Sequence, residues 1–413
     1  MGLDVIVIGG GIGGLCLAQG LRKTGVSVVV YEKGPRGVDP RWLQGYQIHI
    51  DPNGAKALQD CLTPAIWGAL VANAYEPSAG FQVLTEQMKQ IAFVEPEIMN
   101  GSSHIPIDRA TLREMLLEGL DEMVHFGKEF VRYEQAQEGK VKAIFEHGSS
   151  AIGEVLVGAD GTGSKVCKQY LPQAHIVDTG FVGAACRLPI NSQARDYLPE
   201  HLLTRLTSIV ARRGTYMVVT QSIHKPGSHP SADTIGDHII WVFLSSRQAY
   251  GDANPHLMDG GSVKGLVLQR IEHWHPVLRR MVADSDAEQV SAVPVLTSVP
   301  IGPWETTRVT LLGDAIHTMT PLQGLGGSSA LRDAGLLCHQ LVDIDRGSSP
   351  LLPAIREYET AMVKYGFDAV RVSRRFADVV MSDNCLLRAA FKAALRVTNV
   401  VPPLKRLMFR RGR

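Results

Sequence analysis

A chain of 413 residues, 45% hydrophobic and 20% charged, is long enough for two or three domains with sizeable cores, which excludes a disordered or fibrous protein. Lys and Arg (42) nearly balance Asp and Glu (41), and a formal net charge of +1 gives no global pull toward nucleic acid, so no nucleic-acid partner is expected. The six cysteines, Cys16, Cys61, Cys167, Cys186, Cys338 and Cys385, are scattered without a C-x-x-C pair; this points to reduced thiols in a cytoplasmic protein and to no metal site.

Residues 4–8 (DVIVI) form a short β-branched apolar run, followed by Gly9, Gly10, Gly11, Ile12, Gly13 and Gly14. A helix-like stretch over 15–21 and a second strand over 26–31 come next, closed by Glu32 and Lys33. Strand, G-x-G-x-x-G, helix, strand and acid make one dinucleotide-binding βαβ unit. Gly9 permits the tight turn, Gly11 lets a pyrophosphate approach the backbone, and Gly14 lets the helix pack close. Free N–H groups at the helix start face the phosphates, and Glu32 is placed to accept from a ribose diol. The run over 5–21 is glycine-rich and lacks a basic leader, so it is not read as a signal peptide. The motif itself leaves FAD and NAD(P) open.

Further along, 33–43 reads as a polar loop and 44–50 (QGYQIHI) as a strand. Asp51 to Gly54 caps a helix from about Ala55. One or two strands are expected over 81–93, a helix after Arg109 with Leu112, Leu116, Leu117 and Leu120 in register, paired strands over 126–133 and 142–146, and a buried strand over 153–158. Asn100-Gly101-Ser102 is a formal glycosylation sequon without expected consequence. Beyond about 170 the strand candidates 180–188, 214–223 and 237–245 read as an inserted antiparallel sheet, with a Ser-, His-, Pro- and Gly-rich loop over 222–237. The chain then returns to the first domain with a strand over 308–312, a helix over 328–342 and a long helix over 351–380. The expected organisation is α/β: a Rossmann-like FAD-binding domain over 1–170 and 301–345, a substrate-binding β-sheet domain over 171–300, and C-terminal helices with a basic tail over 346–413.

Three stretches together carry a family resemblance. The first is Gly9 to Gly14 with Glu32. The second is Gly158-Ala159-Asp160-Gly161-Thr162-Gly163-Ser164. The third is Gly313-Asp314-Ala315-Ile316-His317, then Pro321, Gly324, Gly326, Ala330 and Asp333. Their order and spacing resemble the class A, single-component FAD-dependent monooxygenases, p-hydroxybenzoate hydroxylase-like, over nearly the whole chain. Arg109 with Leu112 and Leu116 is similar to that family's arginine-led helix, and residues 365–371 (YGFDAVR) resemble members from secondary metabolism. The expected FAD contacts are Gly9, Gly11, Ile12, Gly13, Gly14, Glu32, Lys33, Arg109, Val131, Asp160, Asp314, Pro321, Gly324, Gly326, Gly327 and Ser328. Asp314 is placed to accept from ribityl or ribose hydroxyls, and the helix from Ser328 aims its positive end at the anionic edge of a reduced flavin. Cys167 stands where Arg is common, with Lys168 beside it; Ser328 stands where Asn is usual, and Gln47 where Arg is common. His317 reads as a packed, hydrogen-bonded histidine, and His224, His229 and His238 as solvated residues at no metal spacing.

The resemblance implies an enzyme that uses NAD(P)H and O2 to hydroxylate or epoxidise an aromatic or polycyclic small molecule, through a flavin C4a-hydroperoxide. Substrate is expected between the inserted sheet and the flavin, with Arg187, Tyr216, Gln221, Trp241 and Phe243 as lining candidates. Arg187 and Tyr216 are the catalytic candidates, able to activate a phenol or polarise a carbonyl. Two alternatives stand beside this reading. A flavin-dependent halogenase would be expected to carry a W-x-W-x-I-P stretch, and neither Trp241 nor Trp304 has that setting. A non-catalytic Rossmann-type escort protein would not need the Asp160 and Asp314 motifs. After Asp383 the sequence holds basic residues and no acidic one. Leu386, Leu387, Ala390, Phe391, Ala394 and Leu395 fall near one helix face, which is expected to pack on the body and leave a solvated basic end. A weak contact of this tail with a membrane surface is the alternative.

Overall fold

The computed structural model describes residues 2–36, 47–98, 104–212, 214–226, 236–251, 254 and 257–409. Most of the 33–43 loop, Gln44 to Tyr46, the Asn100 sequon, His229 and the last four residues lie outside these. In chain order, β1 (Asp4–Ile8), α1 (Ile12–Thr24) and β2 (Ser27–Tyr31) form the opening βαβ unit. β3 (Gln47–Ile50) leads into α2 (Pro52–Cys61) and α3 (Pro64–Asn73). β4 (Phe81–Leu84) and β5 (Gln90–Val94) form a hairpin, and β6 (Ile105–Asp108) runs straight into α4 (Arg109–Leu117). β7 (Val124–His125), β8 (Phe130–Gln135), β9 (Val141–Phe145), β10 (Ser150–Gly153), β11 (Val155–Gly158) and α5 (Lys165–Tyr170) complete the first half. The middle holds β12 (Ile176–Pro189), α6 (Ser192–Tyr197), α7 (Glu200–Thr204), β13 (Leu206–Val210), β14 (Tyr216–Ser222), β15 (His238–Ser246), α8 (Gly260–Arg270), α9 (Pro276–Ala283) and β16 (Ser291–Ser298). β17 (Val309–Leu311), α10 (Asp314–His317), α11 (Gly326–Asp345), α12 (Leu351–Val380), α13 (Cys385–Val400) and α14 (Pro402–Phe409) close the chain.

The first sheet is parallel, in the order β17-β11-β1-β2-β7. Its central strands β1 and β11 are buried on both faces, which is why they read as continuous apolar runs instead of alternating ones. Leu15, Leu17 and Leu21 of α1 are fully buried against it, each contributing about 1.5–3 kcal/mol of apolar burial. Asp51 caps α2 by accepting from the Gly54 N–H at 2.9 Å, so the helix begins at Pro52, three residues before the expected Ala55.

The second sheet has seven strands, β16-β12-β15-β14-β13-β4-β5. It takes β4 and β5 from the first 100 residues as well as the 171–300 stretch, and its β13–β4 pair is parallel. β13 and β16 escape the sequence reading because their burial depends on distant partners. One face of this sheet packs on α8 and α9 through Trp241, Phe243, Met217 and Val219. The other turns toward the nucleotide-binding half and α12.

The C-terminal helix departs from expectation. Leu386 is 77% and Val400 80% exposed, and Leu387, Ala390 and Ala394 also face out; of the expected apolar face, Leu395 is buried and Phe391 half-buried. The side packed on the body carries Arg388 and Lys392 beside Phe391 and Leu395, and Glu86 lies beneath it to receive the Lys392 charge.

Candidate active site

Four motif residues sit at the carboxyl ends of four neighbouring parallel strands. β1 ends just before Gly9, β2 just before Glu32, β11 at Gly158 before Asp160, and β17 shortly before Gly313 and Asp314. That is where an open parallel sheet forms its ligand crevice. The glycines have different physical reasons. Gly9 has φ +114°, and a Cβ there would lie 2.3 Å from the Ala159 carbonyl oxygen. A Cβ on Gly14 would lie 2.2 Å from the Gly9 oxygen, and one on Gly13 2.7 Å from Leu312. A Cβ on Gly11 would meet nothing within 4 Å. Gly9 and Gly14 are therefore required by packing against backbone, Gly13 is crowded by the movable Leu312 side chain, and Gly11 keeps a space open.

Two helix N-termini face this crevice without a capping side chain, α1 after Gly11 and α11 after Leu325. By contrast α2, α3 and α4 are capped by Asp51, Thr63 and Asp108. The two uncapped ends are neighbours: Ile12 and Ile48 lie 3.5 and 3.9 Å from where a Cβ of Gly327 would be. Gly324 adopts the left-handed conformation, φ +62°, beside open space. Ser328 uses its hydroxyl to accept from the Asp51 N–H at 2.9 Å, so its backbone N–H is what it offers the crevice. Pro321 is exposed at the start of the 321–323 turn, and Leu322 of that turn packs on the seven-stranded sheet.

Asp314 lies 3.8 Å from the Cβ position of Gly326. Its side chain is reached by solvent, yet the crevice walls desolvate it and hold its carboxyl above the ordinary range, against the opposing pull of His317 and the exposed Arg109. Glu32 accepts from the Gly10 N–H at 2.6 Å and the Gly34 N–H at 2.7 Å, with lone pairs left for a diol. Asp160 is turned the other way: it accepts from Ser164 Oγ and from the Lys165 and Val166 N–H groups, holding the start of α5. Thr162 of that turn meets Thr318 at 3.2 Å, which joins the second motif to the third. Lys33 is exposed beside Glu32, Lys168 is exposed on α5, and Val131 is 43% exposed at a bulge in β8. Arg113 escaped the sequence reading; its Nε donates to the Gly10 carbonyl at 3.1 Å and clamps the glycine turn. Its position one helical turn after Arg109 is the only sequence signal for it.

Behind the crevice, His317 Nε2 lies 2.7 Å from Asp333 Oδ2, both fully buried. Asp333 also accepts from the Gly313 N–H at 2.7 Å and from the Tyr365 hydroxyl. A Cβ on Gly366 would lie 2.6 Å from the His317 ring, which accounts for the Tyr365-Gly366 pair. His317 is the packed, hydrogen-bonded histidine the sequence suggests, and the Asp333 charge raises its pKa despite burial.

On the sheet side, strand alternation sorts the lining candidates. Arg187, Ile240 and Thr220 share one cross-strand row; Ala185, Val242 and Val218 the next; Gly183, Leu244 and Tyr216 the third. These rows face the crevice. Gln221, Trp241 and Phe243 point to the opposite face and do not line it. Trp241 and Phe243 are buried among α8 and α9, Trp241 donating to Ser285 Oγ at 2.8 Å, and Gln221 donates to Ser78 Oγ and the Thr204 carbonyl. Arg187 and Tyr216 are about 13 Å apart along the strands. Between them Val218 and Val242, directly opposite each other, are half-open in strands that are otherwise buried but for Ser246 at an end.

At one end of this strip Arg187 Nη2 pairs with Asp108 Oδ2 at 2.7 Å, while Asp108 Oδ1 caps α4. At the other the Tyr216 hydroxyl meets Ser208 Oγ at 2.6 Å. His238 and Ser222 form the row beyond Arg187 on the same face. Far from solvated, His238 is 1% exposed; its Nδ1 lies 2.8 Å from the Gly236 carbonyl, and desolvation pushes its pKa down to about 4. His238 Nε2, Ser222 Oγ and Gln47 Nε2 are buried with no hydrogen-bond partner among the described residues. His224 is bonded to Asp237 at 3.0 Å.

The comparisons agree with this geometry. Residues 7–37 match the NAD(P)-binding Rossmann-like domain and residues 269–360 the FAD binding domain. The solved structure of a protein assigned as an FAD-containing monooxygenase from Photorhabdus luminescens subsp. laumondii is 34% identical, with a TM-score of 0.83 over 92% of this chain and 98% of that one. The dual O-methyltransferase/FAD-dependent monooxygenase elcB of Phaeosphaeria nodorum is 29% identical over 81% of this chain, of which the chain spans 40%. The chain thus covers well under half the length of that dual-function relative. The FAD-dependent urate hydroxylase of Klebsiella pneumoniae is 27% identical over 95% of this chain and 94% of its own length. FAD fits what the residues provide: open space above Gly11 and Gly324, two uncapped helix starts for anionic groups, and Glu32 and Asp314 for hydroxyls. The chain belongs to the FAD-dependent monooxygenases.

Proposed function

We propose that this chain is a single-component monooxygenase that takes electrons from NAD(P)H and inserts one oxygen atom of O2 into an aromatic or polycyclic small molecule, by hydroxylation or epoxidation. The half-open Val218–Val242 pair carries this reading. It provides an apolar floor between polar ends, set against the crevice where the flavin-binding motifs meet. Such a strip suits a flat, extended, mostly apolar ligand with polar groups at its rim. Bound FAD supplies the redox chemistry.

The chain's own groups bind and orient. Residues 326–328 direct backbone N–H groups at the anionic edge of the cofactor, Asp314 and Glu32 hold hydroxyls, and Pro321 and Leu322 wall the crevice next to the sheet. Arg187 is held by Asp108, and in this reading its guanidinium steadies a phenolate or enolate oxygen, while Tyr216 marks the far end. Support for a natural-product substrate comes from the resemblance of the 365–371 stretch; the urate hydroxylase makes a smaller heteroaromatic the second possibility. Purified protein should release FAD, and not FMN, on acid treatment, and a panel of phenols, polycycles and urate should accelerate oxidation of NADH or NADPH. FMN release, or oxidation that no compound accelerates, contradicts the proposal.

A further inference from the structure

Helix α13 leaves an apolar stripe facing outward in addition to the side it packs on the body. Its sheltered stripe is Arg388, Phe391, Lys392, Leu395 and Thr398, with Lys392 4.0 Å from Glu86 on the body. Its open face carries Leu386, Leu387, Ala390, Ala393, Val397 and Val400, with Leu386 and Val400 about four-fifths exposed. A helix packed on a water-soluble body normally puts its apolar stripe inward and its charges outward. A contiguous apolar face left outward marks a contact surface.

Charge decides what the contact is. Arg396 on α13 and Arg406 on the following α14 are exposed, and no acidic residue follows Asp383 in the sequence. Among the described residues, Glu86 and Glu95 meet this corner from the body side, and Asp383, just before α13, turns its carboxylate toward Gly214, 2.9 Å from where a Cβ there would be. Glu86 faces Lys392 and Arg212, and Glu95 is paired with Lys405 at 3.1 Å. A second copy docking here would bring these like charges together, whereas an anionic surface would satisfy them. No helix among the described residues is long and apolar enough to cross a membrane, so the contact is in the plane of the surface.

We propose that α13 lies flat on anionic lipid bilayers, its Leu386–Val400 face at the headgroup–acyl boundary and Arg396 and Arg406 at the phosphates. The test is sedimentation of the FAD-loaded full chain with phosphatidylcholine vesicles, with and without phosphatidylserine. Binding should be at least about tenfold tighter with phosphatidylserine and should weaken as salt rises. The double variant Leu386→Glu, Val400→Glu should lose about tenfold or more, with flavin content and melting unchanged because both side chains are exposed. Equal or absent binding to the two vesicle types overturns the proposal, as does unchanged binding by the double variant. Concentration-dependent dimerisation abolished by the same substitutions would assign the face to a second copy instead.

Discussion

Val218 and Val242 lie directly opposite each other on neighbouring central strands and are half-open where the strand residues around them are closed. A side chain in mid-sheet keeps solvent access only if space lies above it. Filling that space with Val242→Phe should leave FAD bound and the fold intact while product formation falls about 10- to 200-fold, because a hydrophobic pocket reads added bulk at about 1–3 kcal/mol. Steady-state kinetics with the best compound of the panel checks this, and normal turnover would move the substrate elsewhere.

The Arg187–Asp108 pair links the sheet to the first turn of α4, and the two residues should fail differently. Asp108→Ala removes the carboxylate partner of a largely buried guanidinium and uncaps the helix, a loss of about 3–5 kcal/mol in denaturant unfolding. Asp108→Asn keeps an oxygen for the cap and should lose less. Arg187→Ala should retain FAD and slow NAD(P)H oxidation, with product down about 100-fold and reducing equivalents appearing as peroxide. Arg187→Lys should not restore product fully, since the guanidinium fork is lost. Normal coupling in Arg187→Ala would leave the residue a structural role only.

His238 gives a pH signature. Its folded pKa of about 4 lies below the ordinary histidine value of 6.5, so the unfolded chain takes up its proton first as pH falls. Its contribution to stability is complete above about pH 6.5 and is lost toward pH 4, at up to about 1.4 kcal/mol per pH unit. His317 has the opposite sign: its raised pKa contributes below the unfolded value and is lost as pH rises through the folded one. Urea unfolding at pH 7 and pH 5 should show a larger loss for the wild type than for His238→Gln. Equal losses would mean that His238 is protonated in the folded state.

The glycine turn was legible from sequence because its constraints admit one residue type: a φ of +114° at Gly9 and a 2.2 Å approach at Gly14 leave no room for a side chain. The strand-end acids were legible for a related reason, since Glu32, Asp160 and Asp314 each follow a short apolar run. What strand alternation does within the second sheet was not. Trp241 and Phe243 look like ligand-stacking aromatics, but the register that turns them to α8 and α9 is set by pairing with β12 and β14. Asp160 was assigned to the cofactor, and only the fold shows its carboxylate bonded to its own turn. The outward face of α13 was misjudged because periodicity reveals that a helix is amphipathic, not which side meets the body.

Space and packing at the turn can be separated by two substitutions. Gly11→Ala meets nothing in the fold, so the flavin-stripped protein should melt as the wild type does while FAD affinity falls about tenfold or more. Gly14→Ala drives a methyl into the Gly9 carbonyl and should destabilise even the stripped protein. Glu32→Ala should weaken FAD by roughly 1.5–3 kcal/mol in a fluorescence titration. Unchanged affinity in both Gly11→Ala and Glu32→Ala would remove the turn from the cofactor site.

The decisive experiment is oxygen labelling. FAD-loaded protein is given NADH or NADPH, isotopically labelled O2 and the panel of phenols and polycycles, and the products are weighed by mass spectrometry. A monooxygenase of the kind proposed here yields a product carrying one labelled oxygen atom, formed at the expense of one reduced nicotinamide. A product whose new oxygen comes from water, or a flavin that neither nicotinamide reduces with any compound present, contradicts it.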